Sequence, residues 1–204
     1  MSADLMFGPQ FAKSFVTQYL SGDIPTRMVR YRNGWNVDDV TLPNPVDYLT
    51  YEPLALDVWP VIITVAINVK AFNRMAFDGM SMDPVYRAQY GMRTYVWVRT
   101  EGSEQATLMR DRLTTIVRSA LLDYPCLNRA DTGNDARIEE SSMSEEYSEL
   151  TLLKGDRVLA GAYIGYDLLL DEVIKREDLG PPVSHYDIEV EGTENPSASL
   201  PLEN

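Results

Sequence analysis

The sequence predicts an α+β fold, and three patterns in the middle of the chain carry that prediction. The stretch "WPVIITVAINVKAF" is rich in Val, Ile and Ala, as expected of a central strand that is covered on both faces. After an Asp78-Gly79 turn, "YRAQYGMRTYVWVRT" returns as a long strand paired antiparallel to the first. Beyond Gly102 the apolar residues recur every three or four positions, which is the period of a helix.

The chain has 204 residues, of which 45% are hydrophobic, and this is enough to bury one substantial core. We expect a single domain over residues 1–176. Residues 177–204 contain several prolines and acidic residues and no Lys or Arg, which predicts an acidic C-terminal arm or tail.

The N-terminal region predicts one helix and one short strand. In "GPQFAKSFVTQYLSG" the aromatic residues recur at helical spacing, which predicts a helix over residues 8–21 that ends at Gly22. The stretch "TRMVRYR" alternates as a strand does and is followed by an Asn-Gly pair. Residues 35–51 contain two prolines, and we expect an ordered loop there.

The helix that follows the long returning strand has a clear start and a clear apolar face. Ser103 is the expected N-cap, and acidic Glu104 lies in the first turn. The residues expected to face the core are Ala106, Met109, Leu113, Ile116, Val117, Ala120 and Leu121. Those expected to face away are Arg110, Asp111, Arg112 and Arg118, and the helix should end at "DYP".

Three segments complete the predicted domain. The acidic "ARIEESSMS" predicts an edge strand, and "EEYSELTLLKGDR" predicts a protruding loop or hairpin. The last segment, "VLAGAYIGYDLLLDEV", alternates as a strand. One side of it carries Ala160, Ala162, Ile164, Tyr166 and Leu168, and the other carries Gly161, Tyr163, Gly165 and Asp167.

The charge and the apolar runs exclude several classes of function. With 18 Lys and Arg against 31 Asp and Glu, the net charge of -13 opposes tight nucleic-acid binding. The longest nearly unbroken apolar run, residues 58–67, contains Pro60 and is shorter than the roughly 20 residues that span a bilayer. The first residues lack the features of a signal peptide. We therefore expect a soluble protein that stays in the cytoplasm of its producing cell and has no membrane contact.

The residue types that carry chemistry are sparse. Cys126 is the only cysteine and is expected to be a small buried residue, and His185 is the only histidine and lies in the acidic tail. This excludes an internal disulfide, and it excludes a Ser-His-Asp or multi-His site within one chain. "DTGND", residues 131–135, lacks most of the ligands of a calcium loop and is expected to be a turn. The sequence therefore predicts no catalytic, cofactor-binding or metal-binding residue and a protein that is not an enzyme.

The order of these segments resembles the tail terminator, or tail-completion, proteins of long-tailed bacteriophages, especially phages of actinobacteria. The resemblance covers residues 54–172 and rests on "YVWVRTEG", "RDRL", "SEEYSEL" and "LAGAY". It implies a single, mainly antiparallel or mixed sheet packed against two main helices. It also implies a hexameric ring of this chain at the head-proximal end of the tail tube, assembled in the host cytoplasm.

The resemblance further implies partners and contact residues. Such a ring stops polymerisation of the major tail tube protein and offers a surface to the head-tail connector, and the genome DNA passes through it without specific binding. The expected subunit or tube contacts are Arg99, Glu101, Gly102, Glu146, Tyr147, Gly161 and Tyr163. The expected channel-lining residues are Glu139, Glu140, Glu145 and Glu146, in a loop between the helix and the last strand.

Both sets of residues also have an interpretation that involves no subunit contact and no channel. Arg99 and Glu101 are equally compatible with ordinary solvated charges of a turn, and the glutamates with side chains that point outward and aid solubility. Two alternative functions also remain. One is a head-side connector or neck protein, which binds the portal complex instead of the last tube ring. The other is a small cytoplasmic enzyme with a carboxylate site, which would show turnover.

Overall fold

The computed structural model describes residues 7–53, 58–77, 84–123, 136–153 and 157–174. These ranges contain the helices α1 (Gly8–Trp35) and α2 (Ser103–Asp123). Their strands are β1 (Asp47–Leu49), β2 (Val61–Phe77), β3 (Pro84–Thr100), β4 (Ala136–Tyr147), β5 (Thr151–Leu153) and β6 (Arg157–Val173). The predictions for Asp78-Gly79, Cys126, residues 131–135, His185 and the acidic segment 177–204 lie outside the described residues.

The strands form one sheet in the order β1-β2-β3-β6-β4, and β5 also pairs with β6. β1 runs parallel to β2, whereas every other pair is antiparallel. The predicted hairpin is confirmed, because β2 and β3 pair from Val61 opposite Trp97 to Phe77 opposite Pro84. A mixed sheet with two helices is an α+β fold, as the sequence predicts.

Both helices contribute to a single core on one face of the sheet, which we call the covered face. α2 packs on β3 and β6, and α1 packs on β2 and on α2. The largest fully buried side chains include Leu20, Ile24, Met28, Ile62, Tyr90, Met92, Leu113, Ile116 and Leu121. The predicted alternation of β6 is confirmed, because Ala160, Ile164, Tyr166 and Leu168 join this core. We call the opposite side of the sheet the open face.

The prediction of a helix over residues 8–21 followed by a strand is wrong. α1 runs from Gly8 to Trp35 and contains both Gly22 and Pro25. It ends where Asn36 adopts the left-handed conformation, with φ at 52°, which Asn tolerates better than most residues.

Burial along one side of α1 explains why the helix continues. Leu20, Ile24 and Met28 are four residues apart, and all three are fully buried. Gly and Pro cost a helix interior about 1 and 3 kcal/mol, and burying three large side chains offsets this at roughly 1.5–3 kcal/mol each. The guanidinium of Arg27 also pairs with Asp23 one turn earlier and with Asp123 of α2, at 2.9 Å.

Two expectations for the next segments need correction. Residues 35–51 are not only loop, because β1 lies within them and pairs with the start of β2. β2 is covered on both faces only at its start, where Val61, Ile63 and Val65 are buried. In its distal half Val69 and Phe72 are each 47% exposed, because β1 and the helices do not extend that far.

The prediction for α2 is confirmed except at two residues. α2 begins at Ser103 itself, so Ser103 is not the N-cap. The Gly102 carbonyl accepts the first helical hydrogen bond, from the Ala106 N–H, which places Gly102 at the N-cap. All seven residues expected on its apolar face are buried. Arg110, however, is buried instead of facing away. Its guanidinium donates to the Ser148 carbonyl at 3.0 Å and lies 5.0 Å from the centre of the Tyr147 ring. The C-terminal end of β4 therefore covers this side chain.

The C-terminal strands follow the prediction in outline. β4 pairs on one side only with β6, so it is an edge strand as expected. β5 and β6 pair antiparallel in the segment predicted as a loop or hairpin. Glu139, Glu140, Glu145 and Glu146 lie within β4 and not in a loop. Among the described residues, neither helix is long and apolar enough to cross a membrane.

Candidate functional site

The open face of the sheet carries aromatic side chains at one end. Trp97 of β3 lies between Val61 of β2 and Gly161 of β6, and Tyr95 lies between Ile63 and Tyr163. Together with Leu49 and Trp59, these aromatic rings cover a small second core of Val61, Ile63 and Val65. No helix covers this end of the open face in the described part of the chain.

Gly161 is the position that lets Trp97 lie flat on the sheet. A Cβ atom at Gly161 would lie 2.4 Å from the Trp97 ring, which is closer than real contacts allow. The atoms closest to this position all belong to the Trp97 indole ring. The Gly161 backbone also bonds to Ser148, which donates its N–H to the Gly161 carbonyl at 2.9 Å. Gly161 therefore positions an aromatic surface.

Tyr163 and Glu146 lie side by side on the open face. The Tyr163 ring packs 5.4 Å from Tyr95, and the Arg93 guanidinium lies 4.5 Å from its centre. The hydrogen bond from the Tyr163 hydroxyl to Glu146 raises the pKa of that tyrosine. These two predicted contact residues are thus brought together, with Arg93 beside them.

Further along the open face, ion pairs replace the aromatic rings. Lys70 of β2 reaches Asp167 of β6 at 2.7 Å, and Arg87 donates two hydrogen bonds of 2.6 Å to Asp171. A hollow of about 210 Å³ lies between Lys70 and Tyr163, where Gly165 leaves space. Because acids and bases alternate across these strands, this part of the open face has little net charge.

The turn between β3 and α2 borders a groove at the aromatic end of the open face. The groove has a volume of about 440 Å³ and is lined by Val46, Val58, Trp59, Arg99, Thr100, Glu101 and Arg157. We call it the arginine groove. Arg99 lies 5.3 Å from the centre of the Trp59 ring. The indole N–H of Trp59 is buried and has no hydrogen-bond partner among the described residues.

Gly102 closes the turn at the border of the groove. Its carbonyl accepts hydrogen bonds from the Thr100 hydroxyl at 2.8 Å and from the Ala106 N–H at 3.0 Å, the latter in the first turn of α2. A Cβ atom at this position would meet nothing within 4 Å. The predicted contact residues Arg99, Glu101 and Gly102 therefore belong to one turn, and Arg99 and Glu101 line the groove.

Tyr147, another predicted contact residue, lies on the opposite face of β4 from Glu146. It is 48% exposed, its ring covers Arg110, and its hydroxyl donates to Glu145 at 2.7 Å. Partial burial and that hydrogen bond raise the pKa of Tyr147 to about 12. Glu145 also pairs with Arg118 of α2 at 3.1 Å.

The four glutamates expected to line a channel are therefore divided between two faces. Glu139 and Glu146 are opposite Asp167 and Tyr163 of β6, on the open face. Glu145 faces α2. Glu140 is exposed in an irregular part of β4, where the register with β6 shifts between Glu139 and Ser144. The structure does not bring the four carboxylates to one surface within a single copy.

The sheet has two long edges without a partner strand in the described ranges. β1 covers only the first three residues of β2, so the outer edge of residues 64–77 is open. This β2 edge contains Lys70 and Arg74, has no acidic residue, and exposes Ile67, Val69, Phe72 and Met75 by 47–52% each. The other edge, β4, contains the four glutamates and a single basic residue, Arg137. The two edges thus differ in charge and in apolar exposure.

Comparison with known proteins assigns this chain to no family. Neither a protein-family model nor a curated protein matches this chain. Within the described ranges there is no group of three His, Cys, Asp or Glu side chains that could hold a metal ion.

Sequence reasoning identified the turn of the arginine groove but missed most of its lining. Val46, Trp59 and Arg157 are distant from Arg99 along the chain. The strand register brings them together, since Asp47 is opposite Val61, Val61 is opposite Trp97, and Trp97 is opposite Gly161. No local pattern around Val46 or Arg157 indicates this, because Val46 lies in a segment expected to be a loop and Arg157 in one expected to be a loop or hairpin.

Proposed function

We propose that the protein is a structural subunit of a phage virion. In this proposal its copies form a closed, hexameric ring at the head-proximal end of the tail tube. The ring ends polymerisation of the major tail tube protein and provides the joint to the head-tail connector. The resemblance of residues 54–172 to tail terminator proteins supplies the biological context.

The main support for a ring is that the two edges of the sheet differ in charge and in apolar exposure. A closed ring uses two different patches of each subunit, one for each neighbour. The β2 edge is apolar and basic, whereas the β4 edge is acidic. A long, exposed apolar edge strand favours pairing with another strand. The β4 edge of the next copy offers such a strand and complementary charge.

The open face supports a structural role in a second way. Its polar side chains are engaged with one another, as in Lys70 with Asp167 and Arg87 with Asp171. A surface with paired charges attracts phosphates weakly, since neutralised phosphates supply most of the affinity for duplex DNA. We expect the purified protein to show no duplex binding near physiological salt, as suits a ring through which DNA passes.

Electron microscopy of the purified protein and of intact virions tests the proposal. We expect six-fold rings, located between the tail tube and the neck. Twelve copies around the portal would instead support a head-side connector. A location in tail fibres, or enzymatic turnover by the purified protein, would contradict a structural ring subunit.

A further inference from the structure

We infer that the arginine groove is a binding site for residues 148–150 of the next copy in the ring. In this contact the carboxylate of Glu149 binds between Arg99 and Arg157, and Leu150 packs on Val46 and Val58. The inference rests on the proposed ring and specifies one of its contacts.

The groove is equipped for a carboxylate. Neither Arg99 nor Arg157 forms a salt bridge with a described residue, and Glu101 is the one acidic side chain among the lining residues. Stacking on Trp59 holds the planar guanidinium of Arg99 in place, which favours bidentate recognition of a carboxylate.

The groove also has an apolar rim. Val46 is 60% exposed and Val58 is 42% exposed, at the side of the groove nearest to β1. A ligand that combines one carboxylate with one apolar side chain therefore matches both parts of the groove.

The segment 148–150 has this combination and is available for contact. Glu149 is exposed and forms no ion pair with a described residue. Leu150 is 41% exposed. The preceding Ser148 is fixed by hydrogen bonds to Gly161, so the segment leaves the sheet from a defined position.

Ring symmetry places this segment beside the groove of the neighbour. Copies related by rotation keep the same end of every sheet on the same side of the ring. Within one copy, Asp47, Val61, Trp97, Gly161 and Ser148 form one row across the sheet. When β4 of the next copy lies beside the β1-β2 edge, its Ser148 continues this row next to Asp47, one residue from Val46. The groove begins at Val46 and extends to Arg99 and Arg157, so a segment that passes Val46 enters the groove from that side.

Charge reversal in the full-length chain tests the contact by sedimentation equilibrium. We expect Arg157→Glu and Glu149→Arg each to weaken self-association about tenfold or more, because each leaves a like charge in a desolvated contact. The double variant, with both changes, should recover most of the wild-type association. Arg99→Gln should weaken association less than Arg157→Glu. Arg30→Glu, at an exposed position on α1, makes the same charge change away from the groove and should have no effect.

The outcomes separate this contact from the ring itself. If wild-type protein associates and both single variants associate equally well, the groove contact is wrong and the ring stands. A double variant no better than the two single changes combined would also overturn it. If the variants keep self-association but fail to join tails to heads, the groove binds another protein instead. If the wild-type chain fails to associate at every concentration and no ring is seen in virions, the ring proposal itself fails.

Discussion

The two faces of the sheet are built from the same strands but differ in almost every physical respect. On the covered face, alternate residues of β3 and β6 are buried under two helices, and some of the polar groups there bond to one another. The hydroxyl groups of Thr64, Thr94 and Tyr166 form one such chain, with distances of 3.3 and 3.0 Å. On the open face, aromatic rings and ion pairs remain partly exposed to solvent.

This difference separates stability from assembly. Substitutions on the covered face remove buried contacts and should unfold the protein. Substitutions at the edges and in the arginine groove remove few contacts within a single copy, so under the proposed ring they should change association and leave folding almost intact.

The largest effect is expected for Leu113→Ala in α2. Leu113 is fully buried, and removing a buried leucine side chain costs about 2–5 kcal/mol of unfolding free energy. Leu108→Ala in the same helix is the control, because Leu108 is 46% exposed. Urea titration of both variants measures the difference. Equal losses would show that α2 does not supply the covered core.

Gly161→Ala should have the next largest effect. The new methyl group would overlap the Trp97 ring, and overpacking of this kind costs about 1–3 kcal/mol. Gly102→Ala is the matched change, since a Cβ atom there meets nothing within 4 Å. Adding Trp97→Leu to Gly161→Ala should restore part of the loss, which would not occur if the glycine were needed for backbone conformation.

Ionisation of Tyr166 should lower the stability of the folded protein at alkaline pH. Burial raises the pKa of Tyr166, so the folded protein holds this proton more tightly than the unfolded chain. The resulting stability is full below the unfolded pKa of about 10 and is lost as the pH rises through the folded value. Tyr166→Phe should cost about 1 kcal/mol at neutral pH and flatten the alkaline decline of the urea midpoint. Tyr51→Phe, at an exposed tyrosine, should leave that decline unchanged.

The smallest effect on stability is expected for Phe72→Ser at the β2 edge. Phe72 is 47% exposed and stacks on Tyr86 with ring centres 4.8 Å apart, so the loss of unfolding free energy should stay near 1 kcal/mol or below. Self-association, measured by sedimentation, should fall much more than for Val29→Ser on α1. Val29 is also exposed, at 55%, but belongs to α1 and not to either edge strand. Similar association of the two variants would contradict a role for the β2 edge.

The sequence correctly predicted the elements whose apolar residues repeat with a strong period. It failed where a residue that usually ends a helix lies within a helix that is stabilised by burial. The β2-β3 hairpin, α2 and β6 were predicted because their apolar residues alternate or recur over many positions. The sequence prediction divided α1 in two at Gly22, because glycine often ends a helix. The spacing of Leu20, Ile24 and Met28 was visible in the sequence, but only the structure shows that α2 and the sheet bury this stripe.

The candidate site was harder to predict than the fold. The turn residues Arg99 and Glu101 were identified only through the resemblance to tail terminator proteins, which implies subunit contacts at this turn. The environment of Arg110 could not be predicted, since it depends on where β4 ends relative to α2. The same applies to the division of Glu145 and Glu146 between two faces, which follows from the register of β4 against β6.

A reconstruction of the assembled ring at side-chain resolution tests the central claim most directly, because it shows which surfaces meet. We predict six copies, with β4 of each copy beside the β2 edge of the next. Glu149 should lie in the neighbour's arginine groove, and the helices should not contribute the main contact. Copies that meet through α1 and α2, with both sheet edges facing solvent, would contradict the account.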